Sequence, residues 1–505
     1  MPQEGPSLLV MISVDQLRGD LLPRYRQAFT GGFARLMDQG MFFTSASHAH
    51  AVTTTAAGHA TLSTGVVPAR SGIVGNSWDQ RTGQGWERGV YAVSDPESPI
   101  VGFPAAPGRS PRNLLRTGLA DWVLAADPGA RVASISAKDR AAITMAGKSR
   151  SHVYWIYAPA GRFVTSSYYR DEVEGWVERF NEEVMPTLLA DSAWASSVSA
   201  GVAGLARPDD GTPFEGDGVH TTFPHLAAQE VRGEDPGAFY NWSVHQPRAD
   251  RAVRLMAQEA VENLELGRRG SVDYLALSFS ATDYVGHGYG PLSQEQLDNL
   301  TRLDRELGEF FSYLDETVGE GRWVVGLSGD HGVMSMPEGL QGEGIAGRRV
   351  NAQSRQQMMV RAIEDATRSA NGDMDRLPAV LARTLEDRAL VAAAYPHEDL
   401  MSGEPADSFA VLFRNSYYPG RGAGWLSRFG VEIRFDYMEL VSRPTGTTHG
   451  SPYWYDRWVP LILMGPEVQA GTSDRPVFTV DLAPTLASLG GIPTPSDLDG
   501  KSVYP

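Results

Sequence analysis

Asp283 and His287 lie four residues apart in Ser280-Ala281-Thr282-Asp283-Tyr284-Val285-Gly286-His287-Gly288, a spacing that can present an oxygen and a nitrogen donor on one helix face. Asp330 and His331 are adjacent in Leu327-Ser328-Gly329-Asp330-His331-Gly332, and His449 follows in Gly446-Thr447-Thr448-His449-Gly450-Ser451. Asp15 ends the apolar run Leu8 to Val14. Singly, such residues are more often structural than ligating. Together they all fall at apolar strand ends or in glycine-rich loops, where open α/β sheets carry their sites. The chain has no cysteine, so a transition metal must be held by carboxylate and imidazole. That donor set suits two zinc ions better than manganese or iron. His48, His50, His152, His220, His225, His245 and His397 show no metal-like spacing.

A hydrolytic metal centre also calls for a nucleophile. The segment Ala51-Val52-Thr53-Thr54-Thr55-Ala56-Ala57-Gly58-His59 offers three hydroxyls before a predicted helix. At a helix N-terminus, unpaired N–H groups and the positive end of the dipole favour an alkoxide and a bound phosphoryl oxygen. The plain alternative is that these threonines only cap the helix. On the residues alone, Thr53, Thr54 and Thr55 all remain candidates.

The elements that must position these groups are apolar runs: Leu8 to Val14, Arg131 to Ile135, Val272 to Phe279, Trp323 to Leu327 and Val459 to Met464. Continuous rather than alternating hydrophobicity marks strands buried on both faces. Helical patterns at Asp250 to Leu266 and Ser293 to Val318 separate them. The expected fold is α/β, a mostly parallel central sheet with helices on both faces, in one domain spanning 1–505. Two stretches, about 149–245 and 337–443, break the alternation and read as α+β insertions. The first has a hairpin-like Val153 to Tyr169 and a helix near Asp171 to Val184. The second has a helix near Ala352 to Ala370 and strands expected at Ser408 to Phe413 and Val431 to Phe435.

Lys and Arg number 44 against 61 Asp and Glu, a net charge of −17, and no basic run could track a phosphate backbone. Nucleic acid is therefore not expected as a structural partner. An acidic protein that handles an anion must build positive charge locally. No window reaches transmembrane length. The N-terminus lacks a basic region, and Leu8 to Val14 is too short for a signal core, which leaves open a cytoplasmic location or a removed leader.

The ordered set Asp15, Thr55-x-x-x-His59, Asp283-x-x-x-His287, Asp330-His331 and His449 resembles the alkaline phosphatase superfamily, in the branch of nucleotide phosphodiesterases and threonine-type alkaline phosphatases. The chain end, Val480 to Thr485 with Leu489 to Pro493, is also similar. The resemblance implies an alkaline-phosphatase-like fold, one zinc on Asp283, His287 and His449, and another on Asp15, Asp330 and His331 with Thr55, the attacking group. Ala57 stands where the family often has proline. Asn76 matches an asparagine that contacts a phosphoryl oxygen, and Lys138 and Arg140 resemble the Lys-x-Arg pair of the monoesterases.

Two Zn²⁺ would balance three aspartates and an alkoxide, which leaves Lys138 and Arg140 to match a monoester dianion. A diester carries one charge less and would need an apolar pocket there. The expectation is hydrolysis of small phosphate monoesters, releasing inorganic phosphate, through a phosphothreonine. A periplasmic or secreted location is implied by the resemblance. The rivals are a nucleotide pyrophosphatase/phosphodiesterase and a catalytically inactive binding protein on this fold.

Overall fold

The structure, a computed structural model, describes residues 5–233, 235–342, 347–437, 439–441 and 443–504. Nine strands make the main sheet: β1 (Leu8–Val14), β2 (Met41–Phe43), β3 (Val132–Ser136), β4 (His152–Tyr157), β5 (Arg162–Val164), β6 (Asp273–Phe279), β7 (Trp323–Ser328), β8 (Leu461–Met464) and β9 (Gly471–Ser473), in spatial order β9-β2-β8-β7-β1-β6-β3-β4-β5. The centre, β7-β1-β6-β3-β4, is parallel. β8 runs antiparallel to β7 and β2, and β5 antiparallel to β4.

The helices that matter below are α1 (Gly32–Gln39), α2 (Thr55–Thr64), α3 (Leu119–Ala126), α4 (Asp139–Met145), α5 (Pro247–Asn263), α6 (Ala281–Tyr289), α7 (Gln294–Leu314) and α8 (Leu482–Leu489). Side chains alternate across a strand, so Leu8, Val10, Ile12 and Val14 of β1 enter one apolar layer with Phe33 of α1, Met256 of α5 and Leu307 of α7. Leu9 and Met11 enter the opposite layer with Leu62 of α2, Val123 of α3 and Leu486 of α8. Helices therefore cover both faces. Burial on both sides explains the unbroken apolar runs, and each such side chain contributes about 1.5–3 kcal/mol. An aspartate at Val10 would leave a charge unpaired between sheet and helices.

The hairpin at the start of the 149–245 stretch joins the main sheet as β4 and β5. Its helix, Gly175–Glu183, buries Trp176, Val177 and Phe180 in the layer of α5. In the 337–443 stretch, helices Ala352–Ser369 and Leu377–Glu386 pack with the antiparallel pair Val391–Pro396 and Val431–Phe435 around their own cluster, which includes Leu381, Leu385 and Val431. Ser408 to Phe413, expected as a strand, is instead the start of the helix Ser408–Ser416. Asp407 caps it by accepting the Ala410 N–H at 2.7 Å, and Ala410, Leu412 and Phe413 are buried in one cluster with Ala51 and Tyr395. Among the described residues, no helix is long and apolar enough to cross a membrane.

Candidate active site

The carboxyl ends of four neighbouring parallel strands, β7, β1, β6 and β3, converge on one buried centre. β1 delivers Asp15, and β6 runs into α6 with Asp283 and His287. β7 ends before Asp330 and His331, while β3 leads into α4 with Lys138 and Arg140. The loop before β8 brings His449, and α2 starts at Thr55.

Two ligand groups form. In the first, Asp283 Oδ1 lies 3.3 Å from His287 Nε2 and 3.5 Å from His449 Nε2. The other ring nitrogens meet carbonyls, His287 Nδ1 at 2.9 Å from Thr447 O and His449 Nδ1 at 2.7 Å from Thr53 O. A carbonyl only accepts, so Nδ1 carries the proton and Nε2 keeps its lone pair for a ligand, the usual arrangement of metal-binding histidine. In the second group, His331 Nε2 is 3.5 Å from Asp15 Oδ1 and 3.4 Å from Asp330 Oδ2, while its Nδ1 donates to Gly332 O at 3.0 Å. Asp15 Oδ1, Asp330 Oδ2 and His331 Nε2 are buried without hydrogen-bond partners. Three converging buried acceptors are costly unless a cation meets them, so the donor set fits a metal ion.

His59, matched only by its spacing from Thr55 in the sequence, also belongs here. Its Nδ1 is 3.1 Å from Asp330 Oδ2 and 2.8 Å from Thr55 O, and its Nε2 is 2.8 Å from Ser278 Oγ. Asp15, His59 and Asp330 offer donor atoms within 4.8 Å of one another, as do Asp15, Asp283 and His331. The two groups therefore share a border.

Lys138 occupies that border, its Nζ 2.7 Å from Asp15 Oδ2 and 2.5 Å from Asp283 Oδ2, and 4.7 Å from the centre of the Tyr284 ring. Burial, reinforced by Asp330, pushes the Asp15 carboxyl up to about 7 although Lys138 pulls it down. Burial also disfavours the charged forms of Asp283 and Asp330, but Lys138 and His287 hold the first, and His331 and His59 the second, well below the usual carboxylate range. Three buried carboxylates thus surround one buried cation, Lys138, with the partly buried Arg140 nearby at Thr55.

Thr55 is the first residue of α2, 1% exposed, with its hydroxyl 3.4 Å from Arg140 Nη2. Asn76 Oδ1 accepts the Ala56 N–H at 2.8 Å and so ties down the helix start. Thr53 is committed elsewhere, its hydroxyl donating to Ser451 O at 3.0 Å. Gly58 explains the close fit: a Cβ there would lie 2.0 Å from Asp330 O, so only glycine lets α2 approach the end of β7. Gly446, at φ +68°, similarly lets the His449 loop approach α6, where a Cβ would lie 2.0 Å from His287 O.

Asp15, Thr55, His59, Asn76, Lys138, Arg140, Asp283, His287, Asp330, His331 and His449, singled out in the sequence, all lie in or against this network. Gln16 was missed. Its backbone N–H donates to Asp330 Oδ1 at 3.0 Å and its Nε2 to Asp283 Oδ1 at 2.7 Å, so one side chain and one amide steady both groups. It does this at φ 68°, unusual for a residue with a side chain. Only its position after Asp15 hinted at a role. A cavity of about 660 Å³ near Trp194, Arg248 and Arg302 contains none of these residues, whereas one of about 270 Å³ reaches His449.

Residues 9–421 match the family described as type I phosphodiesterase / nucleotide pyrophosphatase. The chain is 30% identical to alkaline phosphatase PhoV of Synechococcus elongatus over 99% of its own length and 92% of that protein's. It is 31% identical to alkaline phosphatase PafA of Elizabethkingia meningoseptica, over 99% and 94%. The crystal structure of wild-type alkaline phosphatase PafA superposes with a TM-score of 0.88 at 27% identity, covering 99% of both chains. A solved variant of that enzyme carries substitutions of a threonine, an asparagine, a lysine and an arginine. The intervals from its threonine to its asparagine and from its lysine to its arginine equal those from Thr55 to Asn76 and from Lys138 to Arg140. Murine ectonucleotide pyrophosphatase/phosphodiesterase 5 shares the fold, with a TM-score of 0.50 at 12% identity.

Proposed function

The chain belongs to the type I phosphodiesterase / nucleotide pyrophosphatase family, in the alkaline phosphatase superfamily, and from that premise we propose a two-zinc phosphomonoesterase that works through Thr55. It is a phosphoric monoester hydrolase of the alkaline phosphatase kind, which the full-length likeness to such enzymes supports.

Asp283, His287 and His449 would hold one zinc and Asp15, Asp330 and His331 the other, and the two ions would supply Lewis-acid stabilisation of charge on the reacting oxygens. The Thr55 hydroxyl, at the N-terminus of α2, loses its proton and attacks phosphorus in line as the alcohol leaves from the opposite side. Water then displaces Thr55 from the phosphothreonine and releases phosphate. Arg140, against the Thr55 oxygen, and Lys138, between the two groups, stabilise the non-bridging oxygens. Asn76 holds the first turn of α2 so that the hydroxyl keeps its direction, with its amide nitrogen available to a phosphoryl oxygen. An extracytoplasmic location goes with this reading.

The observation that carries the monoester assignment is the pair of cations at the centre, Arg140 beside the Thr55 hydroxyl and buried Lys138 between Asp15 and Asp283, two positive charges that the side chains bring besides the metal ions and that match a dianion. The test is a side-by-side assay of an aryl phosphate monoester and an aryl phosphate diester on zinc-loaded protein. A higher kcat/KM for the monoester supports the reading, and a higher value for the diester overturns it. The phosphodiesterase alternative rests on the family description. An inactive binding protein is the weaker alternative, because every ligand residue is present.

A further inference from the structure

The cavity of about 270 Å³ that reaches His449 is also lined by Phe413, Phe435, Tyr453, Arg355 and Asp436. Arg355, Phe413, Phe435 and Asp436 come from the 337–443 stretch, outside the sheet that carries the ligand groups. Arg355 is its unusual feature. Its guanidinium lies over the Phe435 ring, 4.7 Å from the centre, and among the described residues it has no carboxylate or carbonyl partner. Burial alone lowers its affinity for the proton, with no neighbouring charge contributing. Arg434, by contrast, bonds to the hydroxyls of Tyr395 and Tyr453, and Glu432 is engaged by His397 Nε2 at 3.0 Å. A half-buried cation stacked on an aromatic ring and facing a cavity is stabilised by an incoming anion.

His449 joins this cavity to the chemistry. Its Nε2 faces Asp283, and its Nδ1 bonds to Thr53 O, two residues before the nucleophile. On the proposed mechanism the alcohol that leaves opposite Thr55 departs past the first ligand group, whose His449 lines the cavity. Resting on the phosphomonoesterase reading, we propose that this cavity receives the leaving alcohol and favours an aromatic alcohol carrying an anionic substituent, with Arg355 the specificity-determining residue. The aromatic walls take the ring and the guanidinium takes the anion. Of the carboxylates that line the cavity, Glu432 is held by His397 and Asp456 by Ser451, and Asp436 serves as the control.

The experiment compares 4-carboxyphenyl phosphate with phenyl phosphate on the zinc-loaded protein and on Arg355→Met, whose unbranched stem still covers Phe435. Taking the variant-to-parent ratio for each substrate cancels their different intrinsic reactivities. The expected result is a loss of about tenfold or more in kcat/KM for the carboxylated substrate, the scale of one charge-assisted bond, with less than about threefold for phenyl phosphate. Arg355→Lys should restore much of the preference, and Asp436→Asn should not weaken it. Calorimetry with 4-hydroxybenzoate, the released alcohol, should show weaker binding to Arg355→Met by a similar factor. Equal losses for the two substrates, or unchanged 4-hydroxybenzoate binding, would overturn the pocket assignment while leaving the phosphatase reading standing. Failure of the parent protein to hydrolyse either ester would overturn both.

Discussion

Lys138 Nζ stands 2.5 Å from Asp283 Oδ2, and both side chains are almost wholly buried. Through its second contact, 2.7 Å to Asp15 Oδ2, the same ammonium ties a carboxylate of each ligand group to one cation. The residue proposed to match the substrate's charge thus also bridges the two groups.

Replacing Lys138 and Arg140 together by alanine should lower monoester kcat/KM by at least roughly a hundredfold, at about 2 kcal/mol for each charge-assisted contact. Diester hydrolysis, with one less charge to match, should fall much less. Steady-state kinetics on both substrates, with zinc content measured in parallel, checks this. Equal losses would move the assignment to the phosphodiesterase.

Thr55→Ala should remove activity by about three orders of magnitude or more, the scale set by loss of a covalent nucleophile. Thr53→Ala removes only a hydrogen bond to Ser451 O and should cost about 1 kcal/mol of stability with activity largely kept. Peptide mass spectrometry of acid-quenched enzyme should find phosphate on Thr55. Finding it on Thr53 or Thr54 would refute the assignment.

The protein should carry about two zinc ions per chain and lose activity on chelation. Asp330→Ala and His449→Ala each strike a different group, so each should lose about one equivalent in elemental analysis. Full activity with less than one equivalent in the parent protein would contradict the two-zinc centre.

Gly58→Ala should impair both stability and turnover, because its Cβ would lie 2.0 Å from Asp330 O, where neither helix nor strand end can yield cheaply. The expected cost is on the order of 2 kcal/mol or more. Thermal denaturation and kcat/KM report it, and an unaffected variant would show that α2 does not press on β7 as described.

His225 is caged by Trp194, Phe223 and Tyr289, with Glu230 Oε1 at 2.9 Å, Glu295 Oε1 at 3.4 Å and the Tyr289 hydroxyl at 3.1 Å. Burial works against its charge, but Glu230 and Glu295 outweigh it and push His225 up from 6.5 to about 9. A raised folded-state pKa gives stability that is complete below 6.5 and is lost as pH rises through 9. His225→Gln should therefore be less stable than the parent at pH 6 to 7, by up to about 3 kcal/mol. The deficit should shrink by pH 10. Melting curves across that range test it, and a constant difference would show that the charge plays no part.

The candidate aspartate ligands could be read before the fold because each lies at or just past the end of an apolar run, and a strand buried on both faces leaves a long unbroken signal. Asp15, Asp283 and Asp330 carry that mark. The helix at Ser408–Ser416 was misread as a strand because five or six apolar-rich residues look alike in either state, and the Asp407 cap decided it. Gln16 was invisible for a different reason. Its contribution comes from a backbone turn at φ 68° that aims an amide and a side chain at two groups far apart in sequence.

By itself the sequence determined the α/β architecture and the types of group available: oxygen and nitrogen donors without sulfur, and a hydroxyl at a helix start. These follow from composition and from periodicity along one strand or helix, which are local properties. Only the tertiary structure decided which histidine faces which carboxylate, that His59 enters the centre, that Lys138 lies between Asp15 and Asp283, and that Arg355 faces the cavity reaching His449. Those relations depend on the order in which β7, β1, β6 and β3 lie side by side and on helices packing to van der Waals contact at glycines such as Gly58. Both are set by the burial of the whole core rather than by any single segment.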